Sequence, residues 1–209
     1  MADISEFEER FAPQPFPEPA PPAVVADALG LSWRATENLL AADVAAALGD
    51  GDATTFVNRR DSLVVSQEGL DRLRVAPSIP ADHEPLVCAR VRSVRAVDDS
   101  DRSYMGWHAR LTPEEVELAV TRWWPVPKDD PVGRVFVASV SGFIVHCGRI
   151  EDVHEDRGQV AYALDTSDAR ITRDFWGRRI ASPRGGAIRY FAAGEGALGA
   201  DDRHGGEES

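Results

Sequence analysis

The sequence predicts an α+β fold, in which a mixed helix and strand region (residues 24–125) precedes a mainly antiparallel β region (residues 126–193). Two observations predict it. The first region contains apolar residues at helical spacing, and the second contains short apolar runs separated by turn residues. A succession of short strands favours a small antiparallel β-barrel or a curled sheet.

The two ends of the chain differ in composition from its middle. Residues 13–22 read PQPFPEPAPP, which disfavours a helix or an interior strand and favours an extended polyproline conformation. We therefore interpret residues 1–23 as a disordered proline-rich arm, which could also dock on a partner through Ile4, Phe7 and Phe11. Residues 194–209 are rich in Gly, Asp and Glu, and we interpret them as a disordered tail.

Helix signals occur at two places in the first region. Leu40, Val44 and Leu48 recur every four residues, which predicts an amphipathic helix over residues 36–48 that ends at Gly49. Ser66 is placed to cap a short helix that follows it.

The clearest local motif is Thr112-Pro113-Glu114-Glu115. Threonine at the N-cap, proline at the first helical position and glutamate at the third predict a capping box. The helix that follows is expected to end before Pro125, and Trp124 is expected to pack against the β region.

Strand signals dominate the second region. Residues 135–140 and 143–150 flank Ser141-Gly142, a pair that fits a tight two-residue hairpin. Residues 160–164 and 188–191 are further predicted strands. Earlier in the chain, residues 86–97 alternate in polarity up to Ser93, where the shift in alternation predicts a bulge or a bend.

Composition limits the classes of function. The net charge of −12 argues against non-specific nucleic-acid binding and against binding to anionic membranes. No apolar run is long enough for a membrane helix, and the N-terminus lacks a secretory signal, so we expect a cytoplasmic protein. Cys88 and Cys147 are interpreted as reduced core residues rather than as a disulfide.

Residues 170–191, the arginine segment, hold six arginines and one acidic residue, with aromatic residues between them. Guanidinium groups bind phosphate or carboxylate, and aromatic rings stack on planar ligands. We predict a ligand-binding surface formed by Arg173, Arg178, Arg179, Arg184, Arg189, Trp176 and Tyr190. The alternative is that these arginines pair with the chain's own carboxylates and that the aromatic residues belong to the core.

Two histidines are candidate acid–base groups. His108 follows Tyr104-Met-Gly-Trp, and His146 lies in an apolar predicted strand. The alternative for both is a packed structural histidine. We predict no metal site, because the familiar ligand spacings are absent, and we find no nucleophile motif.

Two functions stay open. The first is a non-enzymatic accessory or binding protein that holds a protein partner or a small anionic ligand on the surface formed by the arginine segment. The second is a small enzyme that acts on an anionic metabolite, with His108 or His146 as acid or base and an arginine clamp. The sequence identifies neither a cofactor nor an oligomeric state, and no motif identifies a family.

Overall fold

The computed structural model describes residues 19–49, 54–57, 62–181 and 186–198, and the backbone of residues 14–15. The helices are α1 (Pro22–Leu29), α2 (Trp33–Ala41), α3 (Val44–Ala47), α4 (Gln67–Val75), α5 (Pro113–Val120) and α6 (Ala169–Phe175). The strands are β1 (Gln14–Pro15), β2 (Thr55–Val57), β3 (Leu63–Val65), β4 (Leu86–Val91), β5 (Arg95–Ala96), β6 (Tyr104–Met105), β7 (Trp124–Pro125), β8 (Val135–Val140), β9 (Phe143–Asp156), β10 (Gln159–Asp165) and β11 (Ile188–Phe191).

Six strands form the central sheet, in the order β11-β4-β8-β9-β10-β7, and the sheet curls into a half-barrel. The predicted α+β fold with a curled sheet is confirmed. The pairings in this sheet are antiparallel except one, because β4 pairs parallel with β8. Since β4 comes from the first region, the sheet also draws on both regions of the chain.

Apolar side chains cover both faces of this sheet. On one face, Phe136 and Phe143 belong to a core shared with α1, α2, α4 and α5. On the other face, Val137 packs with Ile171 and Phe175 of α6. Burial on both faces explains why β8 reads VFVASV, with all six residues buried.

Several local predictions are confirmed. Thr112 and Glu115 form the capping box at the start of α5. Ser141 and Gly142 both have positive φ, as a tight hairpin turn between β8 and β9 requires. Trp124 pairs with Val160 of β10, so it does pack against the β region. The strand that begins at residue 86 ends at residue 91, and the chain then enters a second small sheet through β5.

The prediction of one helix over residues 36–48 is wrong in one respect, because this part of the chain forms two helices, α2 and α3. Between α2 and α3, Asp43 adopts a left-handed conformation with φ 51°. Its buried carboxylate accepts hydrogen bonds from Thr54 N at 3.2 Å and from Thr54 Oγ1 at 2.7 Å. Apolar spacing cannot reveal this break, because the interaction joins two distant residues.

Both ends of the described chain make contacts with the rest of the fold. Within the predicted arm, Gln14–Pro15 pair with β2, and α1 begins at Pro22. At the other end, Gly194 N donates to His83 O at 3.0 Å, and Leu198 N donates to Ser78 Oγ at 2.7 Å. Ile4, Phe7 and Phe11, and residues 199–209, lie outside the described residues.

In the part of the chain that the structure describes, no helix has the length and apolar character needed to cross a membrane.

Replacing Asp43 with alanine should lower the free energy of unfolding by about 2 kcal/mol, because the buried Thr54 N–H loses its acceptor and alanine strains the left-handed backbone. Asp43→Asn should cost less, since asparagine tolerates this conformation and keeps an acceptor. Chemical denaturation of both variants measures the difference. Equal losses would show that the acceptor at residue 43 contributes nothing.

His83 should hold residues 194–198 in place. Its Nδ1 lies 2.6 Å from Glu84 O, and its Nε2 lies 2.7 Å from Glu195 O, within hydrogen-bond distance. His83→Ala should therefore speed amide exchange in residues 194–198, measured by hydrogen–deuterium exchange mass spectrometry, while β8 stays protected. His154→Ala, at an exposed histidine, is the control. Unchanged exchange in the His83 variant would refute this role.

Candidate functional site

A cavity of about 630 Å³ lies where the parallel strands β4 and β8 end. The start of α2, the ends of β4 and β8, and the exposed residues Gly186 and Ala187 before β11 form its walls. We call it the α2 cavity. Its volume falls within the range of small-molecule binding sites.

Positive charge is concentrated in the α2 cavity. Three arginines, Arg34, Arg90 and Arg92, line it, and none of its described lining residues is acidic. Arg34 and Arg92 are exposed, and Arg90 is half-buried. In a chain with a net charge of −12, this arrangement creates a local field that attracts anions.

Strand register explains why a hydroxyl group lies beside one of these arginines. Arg90 of β4 pairs with Ser139 of β8, so both side chains are on the same face of the sheet. Ser139 is only 2% exposed, and its hydroxyl lies 3.5 Å from Cys88 Sγ. A thiol is a weak hydrogen-bond partner, so the Ser139 hydroxyl can also bond to a ligand.

Asn38 connects the helix wall of the cavity to its strand wall. Its side-chain oxygen accepts from Ser93 N at 2.6 Å, and its side-chain nitrogen donates to Ser141 Oγ at 3.4 Å. Ser141 Oγ in turn donates to Ala35 O at 2.7 Å. These bonds fix α2 against the β8–β9 turn and against the residue that follows Arg92.

The first turn of α2 adds to the positive field. Ser32 is the N-cap, and its hydroxyl accepts from Ala35 N. No acidic residue lies in this first turn. The N-terminus of a helix carries a partial positive charge, so the arginines act in the same direction as the backbone.

The predicted ligand-binding arginines have partners within the chain. Arg173 Nε lies 2.9 Å from Asp174, and Arg189 lies 3.5 Å from Glu195. The first pair holds the pKa of the Asp174 carboxyl below its usual value, through its hydrogen bond with Arg173. Both ion pairs fit the alternative that arginines of this segment neutralise the chain's own carboxylates.

Two further arginines of the prediction donate to backbone carbonyls. Arg178 donates to Ser78 O at 3.0 Å, and Arg179 donates to Leu29 O at 3.3 Å. Arg184 lies outside the described residues. None of the four described arginines lines the α2 cavity.

The two predicted aromatic residues also lie outside the α2 cavity. Trp176 is 38% exposed at the end of α6. Tyr190 lines a different cavity, of about 380 Å³, together with Arg134, whose guanidinium carbon lies 5.8 Å from the tyrosine ring. The tyrosine hydroxyl is buried.

The two candidate catalytic histidines differ in exposure, because His108 is buried and His146 is half-buried. His108 is 5% exposed, and its Nδ1 accepts from Arg110 N at 3.0 Å. Burial lowers the pKa of His146 to about 4, and its Nε2 has no hydrogen-bond partner among the described residues. Neither histidine lines the α2 cavity.

Cys88 and Cys147 are both free and buried, as predicted. Burial raises the pKa of the Cys88 thiol to about 11 and that of Cys147 to about 12. Both thiols are therefore neutral and weakly nucleophilic at neutral pH. Within the described ranges, no group of three His, Cys, Asp or Glu side chains is placed to hold a metal ion.

Sequence reasoning missed the three arginines of the α2 cavity. One signal was available, because Arg90 is a charged residue in an apolar strand that is otherwise buried, and Arg92 directly follows that strand. Charge on the inner face of such a strand is costly unless it meets a ligand, a partner or solvent. For Arg34 there was no such signal, since exposed arginines are common on helices.

Comparisons with protein-family models, with curated proteins and with solved structures found no match for this chain.

Acid should destabilise the protein through His146. Because its pKa is lower in the folded protein than in the unfolded chain, where it is about 6.5, stability is fully present above pH 6.5 and is lost as pH falls towards 4. The expected loss is about 3 kcal/mol.

Chemical denaturation between pH 4 and pH 7 measures this loss in the wild type and in His146→Leu, with His146→Gln as a second variant. As pH falls, the unfolding free energy of the wild type should decrease relative to that of each variant, by about 3 kcal/mol. A difference that is constant over this range would contradict the buried neutral state of His146.

Proposed function

We propose that this is a non-enzymatic binding protein that holds a small anionic ligand in the α2 cavity. One observation carries the proposal, namely that three arginines line a cavity whose described lining contains no acidic residue. Arginine binds phosphate and carboxylate oxygens in pairs, through hydrogen bonds of fixed geometry.

This proposal keeps the ligand class expected from the sequence and changes the residues that bind it. Arg173 and Arg189 have carboxylate partners of their own, so a ligand would have to compete with those carboxylates. No described residue that lines the α2 cavity is acidic. A protein partner at the surface of the arginine segment stays a prediction.

An enzyme would need an acid–base group or a nucleophile beside the bound anion. The described groups of the α2 cavity are guanidinium, hydroxyl and amide groups. The nearest thiol is Cys88, which contacts Ser139, and its raised pKa keeps it neutral. These features favour ligand binding over the alternative of catalysis with His108 or His146.

Calorimetric titration with inorganic phosphate at low ionic strength tests the proposal. Arg34→Ala and Arg92→Ala should each weaken phosphate binding by about tenfold or more, because each removes a charged hydrogen-bond donor from the site. Arg157→Ala is the matched control, since it removes the same charge from a side chain that is 92% exposed in the β9–β10 turn.

The control should bind phosphate as the wild type does. The proposal is refuted if the wild type binds no phosphate, or if the two cavity variants bind it as well as Arg157→Ala does.

A further inference from the structure

We infer that the ligand of the α2 cavity is a compact molecule with two anionic groups, one bound at the helix wall by Arg34 and the other at the strand wall by Arg90 and Arg92. This inference rests on the proposed function and specifies its ligand class.

The three arginines come from two different walls. Arg34 is the second residue of α2, at the positively polarised end of that helix. Arg90 lies on β4 and Arg92 is the first residue after that strand, and both line the cavity. The positive charge is therefore divided between the helix wall and the strand wall. Ser32 lines the cavity at the helix wall, and Ser139 lines it at the strand wall.

The separation of the two walls is preset by hydrogen bonds. Asn38 bonds to Ser93 N and to Ser141 Oγ, and Ser141 bonds to Ala35 O. All three bonds join α2 to the strand side of the cavity. Because these bonds hold the two walls together, less conformational freedom is lost when one ligand contacts both walls.

The size of the cavity also favours a ligand larger than one anionic group. Its volume of about 630 Å³ is typical of sites for whole small molecules. A single phosphate bound at one wall would contact the arginines of that wall alone. A molecule with an anionic group at each end contacts both walls.

The described lining also indicates what joins the two anionic groups. It contains Leu31, Val91, Ala35 and Ala187 but no aromatic residue. A short aliphatic or polyol spacer fits such a lining, whereas a nucleobase would find no ring to stack on. The two anionic groups can be phosphoryl or carboxylate groups, which share the same recognition by arginine.

Matched alkyl probes test this inference by calorimetric titration. One pair is butyl phosphate and 1,4-butanediol bisphosphate, and the other is hexanoate and hexanedioate. In the wild type, each bis-anion should bind about tenfold to a hundredfold more tightly than its mono-anion, since it gains charged hydrogen bonds at the second wall. The phosphate and carboxylate pairs together distinguish the two anion types.

The variants locate the second group. In Arg34→Ala, the ratio of affinities between bis-anion and mono-anion should fall to about twofold, the statistical factor for two equivalent ends. In Arg92→Ala, the ratio should also fall, but by less, because Arg90 still lines the strand wall. Arg157→Ala should keep the wild-type ratio.

Two outcomes separate this inference from the proposed function. If mono-anions and bis-anions bind the wild type equally, and both lose affinity in the cavity variants, the inference is wrong and anion binding stands. If no probe binds the wild type, both fail. A ratio that stays at the wild-type value in Arg34→Ala would also overturn the inference.

Discussion

Parallel pairing between β4 and β8 is the constraint on which the rest of this structure depends. It joins a strand from the first half of the chain to the hairpin-rich second half, in register from Leu86 and Val135 to Val91 and Val140. Because both strands run in the same direction, their carboxyl ends meet at one edge of the sheet. The α2 cavity lies at that edge, and the register places Arg90 and Ser139 side by side there.

The arginines of this protein are arranged in two different ways. On the surface formed by the arginine segment, guanidinium groups lie next to carboxylates or carbonyl groups, as with Arg173 and Asp174. Such exposed pairs contribute little to stability but leave no strong local field. In the α2 cavity, by contrast, three arginines surround a concave space without a carboxylate among its described lining residues. Only the second arrangement produces a field that a small solute can enter.

Local sequence determines the features that could be predicted. The capping box at Thr112 and the turn at Ser141-Gly142 depend on neighbouring residues, so their motifs were sufficient to place them. The break at Asp43 depends on Thr54, and the parallel register depends on residues far apart in the chain, so neither could be read from spacing. The α2 cavity also depends on residues far apart in the chain. Arg34, Arg90 and Ser139 come from three separate elements, and only the tertiary fold brings them together.

The parallel pair also determines an order of assembly. β8, β9 and β10 are consecutive antiparallel strands joined by short turns, so their pairing closes only small loops. β4 can join them only by closing a loop of about fifty residues, which is entropically more costly. During synthesis on the ribosome, the apolar run Leu86–Val91 emerges before β8 exists. For that interval it is an unpaired, aggregation-prone strand, and we expect a growing chain to need protection at this segment until its partner has been made.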